Sequence, residues 1–384
     1  QAPDLIGLSG LLVKSAQEMV VTAEELAAAG CRLPILVGGA ALTRSFTRRR
    51  IAPVHAGPVV YAPDAMSGLE IARRLMDPGQ RAGLEEELRR EAEQYREPEA
   101  GRPAAVAPAP GGRAVAELDD LPSPPDLQRH VLPRLKLDEV WSFLNPAMLY
   151  NKHLGLKGRF DRLVAKGDEK ALFVQEAVDE VKRECRAGQM TAAAVYQFFE
   201  ATADSDRVVL YRAGESEPAG EFTFPRQRGG QRLCLADYIR GPLPGGRRDS
   251  LCLMVTGAGT GIRELAERYK EEGSYLKSHV LQALALETAE GAMEWLHAQV
   301  RALWGFADPP GTPKEDLFRT RYRGRRYSFG YPACPDLAQQ QALFALLGPE
   351  EIGITLTTGH MMEPEASVSA LAFHHPEATY FSAS

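Results

Sequence analysis

The chain has 384 residues, of which 44% are hydrophobic and 25% charged, and its formal net charge is −6. That length holds two or three ordinary domains with sizeable cores. The acidic balance argues against a nucleic-acid partner, and no apolar run approaches the roughly 18–20 residues needed to cross a membrane.

The first residues, QAPDLIGLSG, carry no initiator Met, no basic n-region and no h-region, so they do not form a signal peptide. They open shortly before an apparent strand, and the expectation is a fragment of a longer chain entered in mid-domain. Residues 1 to 78 then alternate strand and helix. DLIGLSGLLV reads as a buried strand with its exit loop. SAQEMVVTAEELAAAG reads as a helix with Ser15 as N-cap and Gly30 as its stop. LPILVGG is a second strand, followed by a helix around TRSFTRRRIA. PVVYA is a third strand, after which Asp64 caps DAMSGLEIARRLM. Three such units with continuous apolar strands predict a doubly wound α/β parallel sheet covered on both faces. Ligands of such sheets sit beyond the carboxyl ends of the strands. Those ends carry Ser9-Gly10, Gly38-Gly39 and Ala62.

GQRAGLEEELRREAEQYRE reads as a charged, mostly solvated helix. The Pro-, Ala- and Gly-rich stretch after it reads as an extended linker and a domain boundary. Beyond it, LDEVWSFLNPAMLYNKHLG and ALFVQEAVDEVKRECRAG predict helices, and RVVLYR, EFTFPRQ and SLCLMVTGAG predict strands. From Ser278 to Trp304, the residues Leu281, Ala285, Ala289, Ala292, Leu296, Val300 and Leu303 recur at spacings of three and four, which predicts a helix with one apolar face. The irregular order of these elements makes the second domain α+β.

Several motifs invite chemistry they do not support. GLSGLL has Leu11 where a nucleophile elbow needs its second glycine. VTGAGTGIREL has Ile262 in place of the third glycine of a dinucleotide loop, and no βαβ unit surrounds it. His374 and His375 are adjacent, so their side chains diverge, which favours structural roles. The five cysteines are scattered with no CxxC pair, a pattern of reduced cytoplasmic thiols. The doubled Gly38-Gly39 suits either a flat ligand against the backbone or a tight turn.

RRYSFGYPACPDL, Arg325 to Leu337, reads as neither helix nor strand. Gly330 permits positive φ, while Pro332 and Pro335 remove donors and stiffen the path. Arg326 can fork two hydrogen bonds to a carboxylate. With the small polar and aromatic residues of EPEASVSALAFHHPEATYFSAS, the loop suits either a small zwitterion carrying an adenine ring or a purely structural turn.

Arg326 to Pro335, together with ASVSALAFHHPEATYF, closely resembles the activation domain of the cobalamin-dependent methionine synthases. DLIGLSGLLVKS, LVGGAAL and GPVVYAPDA resemble the later half of that family's cobalamin-binding domain. LADYI, VTGAG and ALETAEGAMEWLHAQVRALWGF are also similar, in the family's order, so the resemblance covers almost all of the chain. It implies a Rossmann-like partial domain over 1–98, a linker over 99–117, and an α+β reactivation domain with an antiparallel sheet over 118–384.

The activity implied is methyl transfer from methyltetrahydrofolate to homocysteine through methylcobalamin, in the cytoplasm. The reactivation domain would remethylate oxidised cob(II)alamin with a methyl group from S-adenosylmethionine and one electron from a flavodoxin-like or other reductase. Homocysteine and folate modules would lie upstream in the same chain, which would act as a monomer. Two readings outside methionine synthesis stay open: a stand-alone corrinoid reactivation or carrier protein, and a non-enzymatic B12 or S-adenosylmethionine sensor.

By position in the resemblance, Ser15 matches the serine linked to the cobalt-ligating histidine. Ser9, Gly38 and Gly39 match residues around the buried nucleotide tail of cobalamin, with Gly10 and Ala62 on the same strand ends. Arg326, Gly330, Tyr331, Ala333 and Cys334 match the S-adenosylmethionine loop. Tyr380 and Phe381 fall at a tyrosine pair, and Glu290 at a helix carboxylate. The D-x-H-x-x-G loop of the lower cobalt ligand is absent, and His55 does not replace it. Phe381 lacks the second tyrosine's hydroxyl. No acid matches the family's contact to the substrate amino group: VWSFLNPAML offers only Asn145, Glu139 lies too far back, and Thr320 stands where an acid often precedes RYRGRR.

Overall fold

The computed structural model describes residues 3–10, 13–39, 42–95, 115–118 and 120–383. The chain divides into two compact units, residues 1–111 and 112–384. The linker expected over 99–117 lies for the most part outside the described residues. Its described end belongs to the second unit: Val115 packs on that unit's core, and the Ala116 carbonyl accepts from His375 Nε2 at 3.0 Å.

In the first unit, β1 (Ile6–Ser9), β2 (Ile35–Gly38) and β3 (Val59–Ala62) form a parallel sheet in that order. Its register sets Ser9, Gly38 and Ala62 in one row at the carboxyl edge. The core gathers Ile35, Val37 and Val59 with Ala16, Met19, Val20 and Ala23 of the helix Val13–Ala28 and with Ile51. That helix starts before Ser15, so Ser15 is its third residue and not its N-cap. Gly30 ends it at φ +75°, and Asp64 caps the helix Ala65–Met76 by accepting from Ser67 N at 2.8 Å. The charged helix Pro78–Tyr95 is anchored by buried Leu84 and by Glu91, which pairs with the nearly buried Arg48 at 2.6 Å.

The second unit is built on a seven-stranded sheet. Its strands are β4 (Arg129–Leu132), β5 (Ala193–Asp204), β6 (Arg207–Tyr211), β7 (Gly220–Thr223), β8 (Asp249–Gly257), β9 (Arg325–Tyr327) and, after the short hairpin β10 (Thr355–Leu356) and β11 (Met362–Glu363), β12 (Ser367–Phe373). The order is β7-β6-β5-β8-β12-β9, with β4 beside the first half of β5, and every pairing is antiparallel. The long helix Tyr275–Leu303 crosses one face, where Thr256 Oγ1 donates to Ala289 O and Trp304 Nε1 to Ser250 Oγ. The other face carries Val195, Phe199, Leu251, Leu253 and Leu371 under the helix Gln340–Leu347.

Three expectations change here. The long helix is buried nearly all round instead of along one stripe, because the helices Leu137–Trp141, Glu169–Glu184 and Ile262–Glu271 cover its outer sides. Leu303, placed on the apolar face, is 45% exposed. LDEVWSFLNPAMLYNKHLG is two helical pieces, broken where Pro146 withholds a donor and Asn145 Oδ1 accepts from Ala147 N. Finally, Arg325–Tyr327 is an edge strand, so RRYSFGYPACPDL is a strand that turns into a loop.

Candidate functional site

The position of Arg326 follows from strand register. Side chains alternate faces along a strand, and directly paired residues share a face. Tyr327 pairs with Leu371, and both enter the apolar core. Arg326 pairs with Ala372 on the opposite face, toward the long helix. Its Nη2 there meets Glu290 Oε2 at 3.3 Å and Glu294 Oε2 at 3.5 Å. Burial disfavours the guanidinium charge, but Glu290 and Glu294 outweigh it, and the Arg326 pKa is raised.

Glu287, Glu290 and Glu294 stand at i, i+3 and i+7 and share one side of the long helix. Glu287 is buried and bonded to buried His153 Nε2 at 3.0 Å. Burial raises its pKa, the His153 bond opposes the shift, and the Glu290 charge adds to it. Further along the same side, Arg301 donates to His297 Nδ1 at 2.8 Å, pairs with Asp308, and lies 3.9 Å over the Tyr322 ring. Burial first, then the Arg301, Arg326 and Arg325 charges, hold the His297 pKa well below its usual value. A neutral His297 accepting at Nδ1 carries its proton on Nε2.

The loop beyond Arg326 is braced from within. Gly330, at φ +84°, donates to Cys334 O at 3.0 Å, and Cys334 N donates back to Tyr331 O at 2.9 Å, closing a four-residue turn over Pro332 and Ala333. Ala383 N donates to Pro332 O, which ties the C-terminal segment to this turn. Burial raises the Tyr331 pKa, and the Glu290 charge raises it further. Tyr380 is half exposed with its ring 5.5 Å from Tyr327, and Phe381 packs on the core. Ala333 and Cys334 are buried in that core, with the thiol donating to Ser328 O at 2.9 Å and its pKa raised by burial. What those two residues can offer a ligand is backbone.

Three polar atoms of this region are buried and lack a hydrogen-bond partner among the described residues: Arg326 Nε, Glu294 Oε1 and the Tyr322 hydroxyl. Charge-assisted bonds ordinarily measure about 2.7–2.9 Å. The Arg326 contacts to Glu290 and Glu294 are longer, so the guanidinium keeps donor capacity. The arrangement sets one buried guanidinium among carboxylates and phenol rings, with polar atoms still able to bond.

The first unit prepares its strand edge by omitting side chains. A Cβ on Gly39, which sits at φ +117°, would lie 2.1 Å from Gly10 O. A Cβ on Gly10 would meet Ser15 Cβ at 2.8 Å, and one on Gly38 would meet Ala62 O at 3.2 Å. Gly39 therefore serves the contact between two chain segments, while Ser9, Gly38 and Ala62 form a shallow row at the edge. Ser9 is exposed and Ser15 half-buried. His55 is buried at Leu33 O, 2.9 Å away.

Residues 136–384 match the family model described as vitamin B12 dependent methionine synthase, activation domain. The chain belongs to this family. Along 99% of its length it is 32% identical to methionine synthase of Mycobacterium tuberculosis, and it is 32% identical to that of Mycobacterium leprae over 99% as well. It spans 35% and 34% of those proteins' lengths. A crystal structure of the MetH reactivation domain bound to AdoHcy aligns with a TM-score of 0.64 at 25% identity, covering 69% of this chain and 83% of the other.

The activation domain thus brings together Arg326, Glu290, Gly330, Tyr331 and Tyr380 from the sequence reading and adds Glu294, Glu287 and Tyr322. The three glutamates on one side of the long helix were the available signal for two of the additions; Tyr322 offered none. Asn145 turns to its own backbone, and Glu139 is an exposed partner of Lys136 at 2.9 Å. Thr320 adopts φ +54° after the helix Lys314–Phe318. VTGAGTGIREL is a strand-to-helix turn in which Gly259 packs against Thr191 O. His374 is bonded to buried Asp249 at 2.7 Å.

Proposed function

We propose that the second unit binds S-adenosylmethionine between the long helix and the Arg326–Cys334 strand and loop, and that the chain is the part of a methionine synthase that holds cobalamin and restores it to the methylated form. The observation that carries this reading is the set of buried, unpartnered polar atoms on Arg326, Glu294 and Tyr322 beside a braced aromatic loop. The membership of residues 136–384 in the activation-domain family and the likeness to a reactivation domain bound to AdoHcy support it. Arg326 receives the substrate carboxylate, the Gly330–Cys334 turn offers backbone groups, and Tyr331, Tyr380 and Phe381 offer ring faces.

For cobalamin, the row Ser9–Gly38–Ala62 leaves a strip without bulky side chains, and Ser15 lies behind Gly10, so these residues fit a flat, weakly polar ligand. On this reading the first unit is the later part of a doubly wound, Rossmann-like domain, and Ser9, Gly10, Ser15, Gly38, Gly39 and Ala62 would hold the cofactor. Cobalamin, when bound, supplies the cobalt that carries the methyl group. On this reading homocysteine and folate modules lie upstream in the same, longer chain. A flavodoxin-like or other reductase supplies one electron, and the protein works as a cytoplasmic monomer. Among the described residues no helix is long and apolar enough to cross a membrane.

Calorimetry of the full chain tests the assignment. Arg326→Ala is expected to weaken S-adenosylmethionine binding by roughly 100-fold, since a charged hydrogen-bonding group leaves a buried partner behind, and to leave cobalamin binding unchanged. Equal S-adenosylmethionine affinities for variant and wild type would overturn it.

A further inference from the structure

We infer that Glu294 is the carboxylate that recognises the ammonium group of the bound amino acid. The inference rests on the S-adenosylmethionine reading above and assigns a role within that site. A zwitterion needs a fixed anion beside its fixed cation, and a buried ammonium without a partner costs far more than it returns. The candidates can be separated one by one. Asn145 is neutral, and its Oδ1 accepts from Ala147 N at 3.1 Å. Glu139 is exposed and paired with Lys136. Glu287 is occupied by His153 at 3.0 Å. Glu290 keeps a side chain 35% exposed, so water serves it at little cost.

Glu294 differs from all four. It is 9% exposed as a residue, Oε2 faces Arg326 at 3.5 Å, and Oε1 is buried with no hydrogen-bond partner among the described residues. The nearby Lys314 ammonium sits over the Phe143 ring, 3.1 Å from its centroid. The Tyr322 hydroxyl, also buried and unpartnered, is a second acceptor in the same neighbourhood. An α-amino acid carries its ammonium and carboxylate on one carbon. Arg326 and Glu294 already stand in contact, so one ligand can insert a carboxylate on the guanidinium while its ammonium meets Glu294 Oε1. No bond is made or broken; a loose ion pair is exchanged for two charge-assisted ones.

The test compares two ligands on the full chain by calorimetry: S-adenosylhomocysteine and its deaminated analogue, which keeps the carboxylate and the adenosyl group. Wild type is expected to prefer S-adenosylhomocysteine by at least about 10-fold, the worth of one charged hydrogen bond. Glu294→Gln should erase that preference, weakening S-adenosylhomocysteine by about 10- to 30-fold while the analogue changes less than about 3-fold. Glu290→Gln should keep the preference, and Glu294→Asp should restore part of it. Equal losses for both ligands in Glu294→Gln, no loss for either, or loss of the preference in Glu290→Gln alone would overturn the role of Glu294 and leave the ligand assignment standing. Failure of wild type to bind either ligand would overturn both.

Discussion

A methyl group on Gly39 would stand 2.1 Å from the Gly10 carbonyl oxygen, whereas the carboxylate oxygens facing Arg326 Nη2 stand 3.3 and 3.5 Å away. The two units thus build their candidate sites in opposite ways. The first removes side chains until strand ends meet backbone to backbone. The second concentrates charges on one helix and one strand, with atoms left over. The first should fail where an added atom meets backbone, and the second where a buried charge loses its partner.

The largest expected effect falls on the first unit. Gly39→Ala combines positive φ with a backbone clash and should cost about 4 kcal/mol or more, within the range reserved for such named defects. Trp141, Trp295 and Trp304 all lie in the second unit, so tryptophan fluorescence reports that unit, while far-UV circular dichroism reports both. Gly39→Ala should give an early dichroism transition with an unmoved fluorescence midpoint. Gly7→Ala, which has nothing within 4 Å, should change neither. If both signals shift together in Gly39→Ala, the contrast between the units is lost.

The same contrast explains what could be read in advance. Alternating strand and helix signals made the first unit legible down to Gly30 and the Asp64 cap, although Ser15 was misplaced because an N-cap residue type can also sit inside the first turn. In the second unit, β5 went unread: AAVYQFFEATAD is covered on both faces and shows little of the alternation that marks a half-exposed strand. SVSALAF of β12 hid for the same reason, as a strand of small residues under a helix. Arg326 was visible through its motif and Glu290 through the resemblance, but Glu294 comes from 32 residues away and its contact with Arg326 depends on the register of β9 against β12. Motif matching named Cys334 without telling side chain from backbone, and only burial separates them.

The next effect tests the second unit's reliance on a buried, hydrogen-bonded carboxylate. His374 Nε2 meets Asp249 Oδ1 at 2.7 Å with both side chains almost wholly buried, and among the described residues Asp249 otherwise accepts from the Ser250 and Arg240 amides. His374→Ala should cost about 3 kcal/mol, because the remaining carboxylate is buried short of a partner. Its neighbour His375 bonds a carbonyl, that of Ala116, and His375→Ala should cost about 1 kcal/mol. Urea denaturation followed by fluorescence reads both, since the Trp304 ring lies 5.3 Å from His374. Equal costs for the two variants would mean that packing, and not the bond to a buried carboxylate, sets the stability there.

The last effect is one of pH, and it has no counterpart at the glycine edge. His297 is buried among Arg301, Arg325 and Arg326, so its folded pKa lies well below the usual 6.5. The unfolded chain then binds a proton at mildly acidic pH that the folded chain refuses. Stability is full above about pH 6.5 and falls as the pH drops below that value, until the folded pKa is reached. From pH 7.5 to 5.5 the His297 contribution to this loss is about 1.4 kcal/mol, the cost of withholding roughly one proton over the one pH unit below 6.5. Other groups titrate in the same window, His375 among them, with a pKa lowered chiefly by burial. The measurement is therefore a difference: the unfolding free energy of wild type at the two pH values, less that of His297→Gln. Wild type should lose about 1.4 kcal/mol more than the variant. An equal loss would show that His297 takes up its proton in the folded state, and that the three arginines around it do not act as the repulsive field described above.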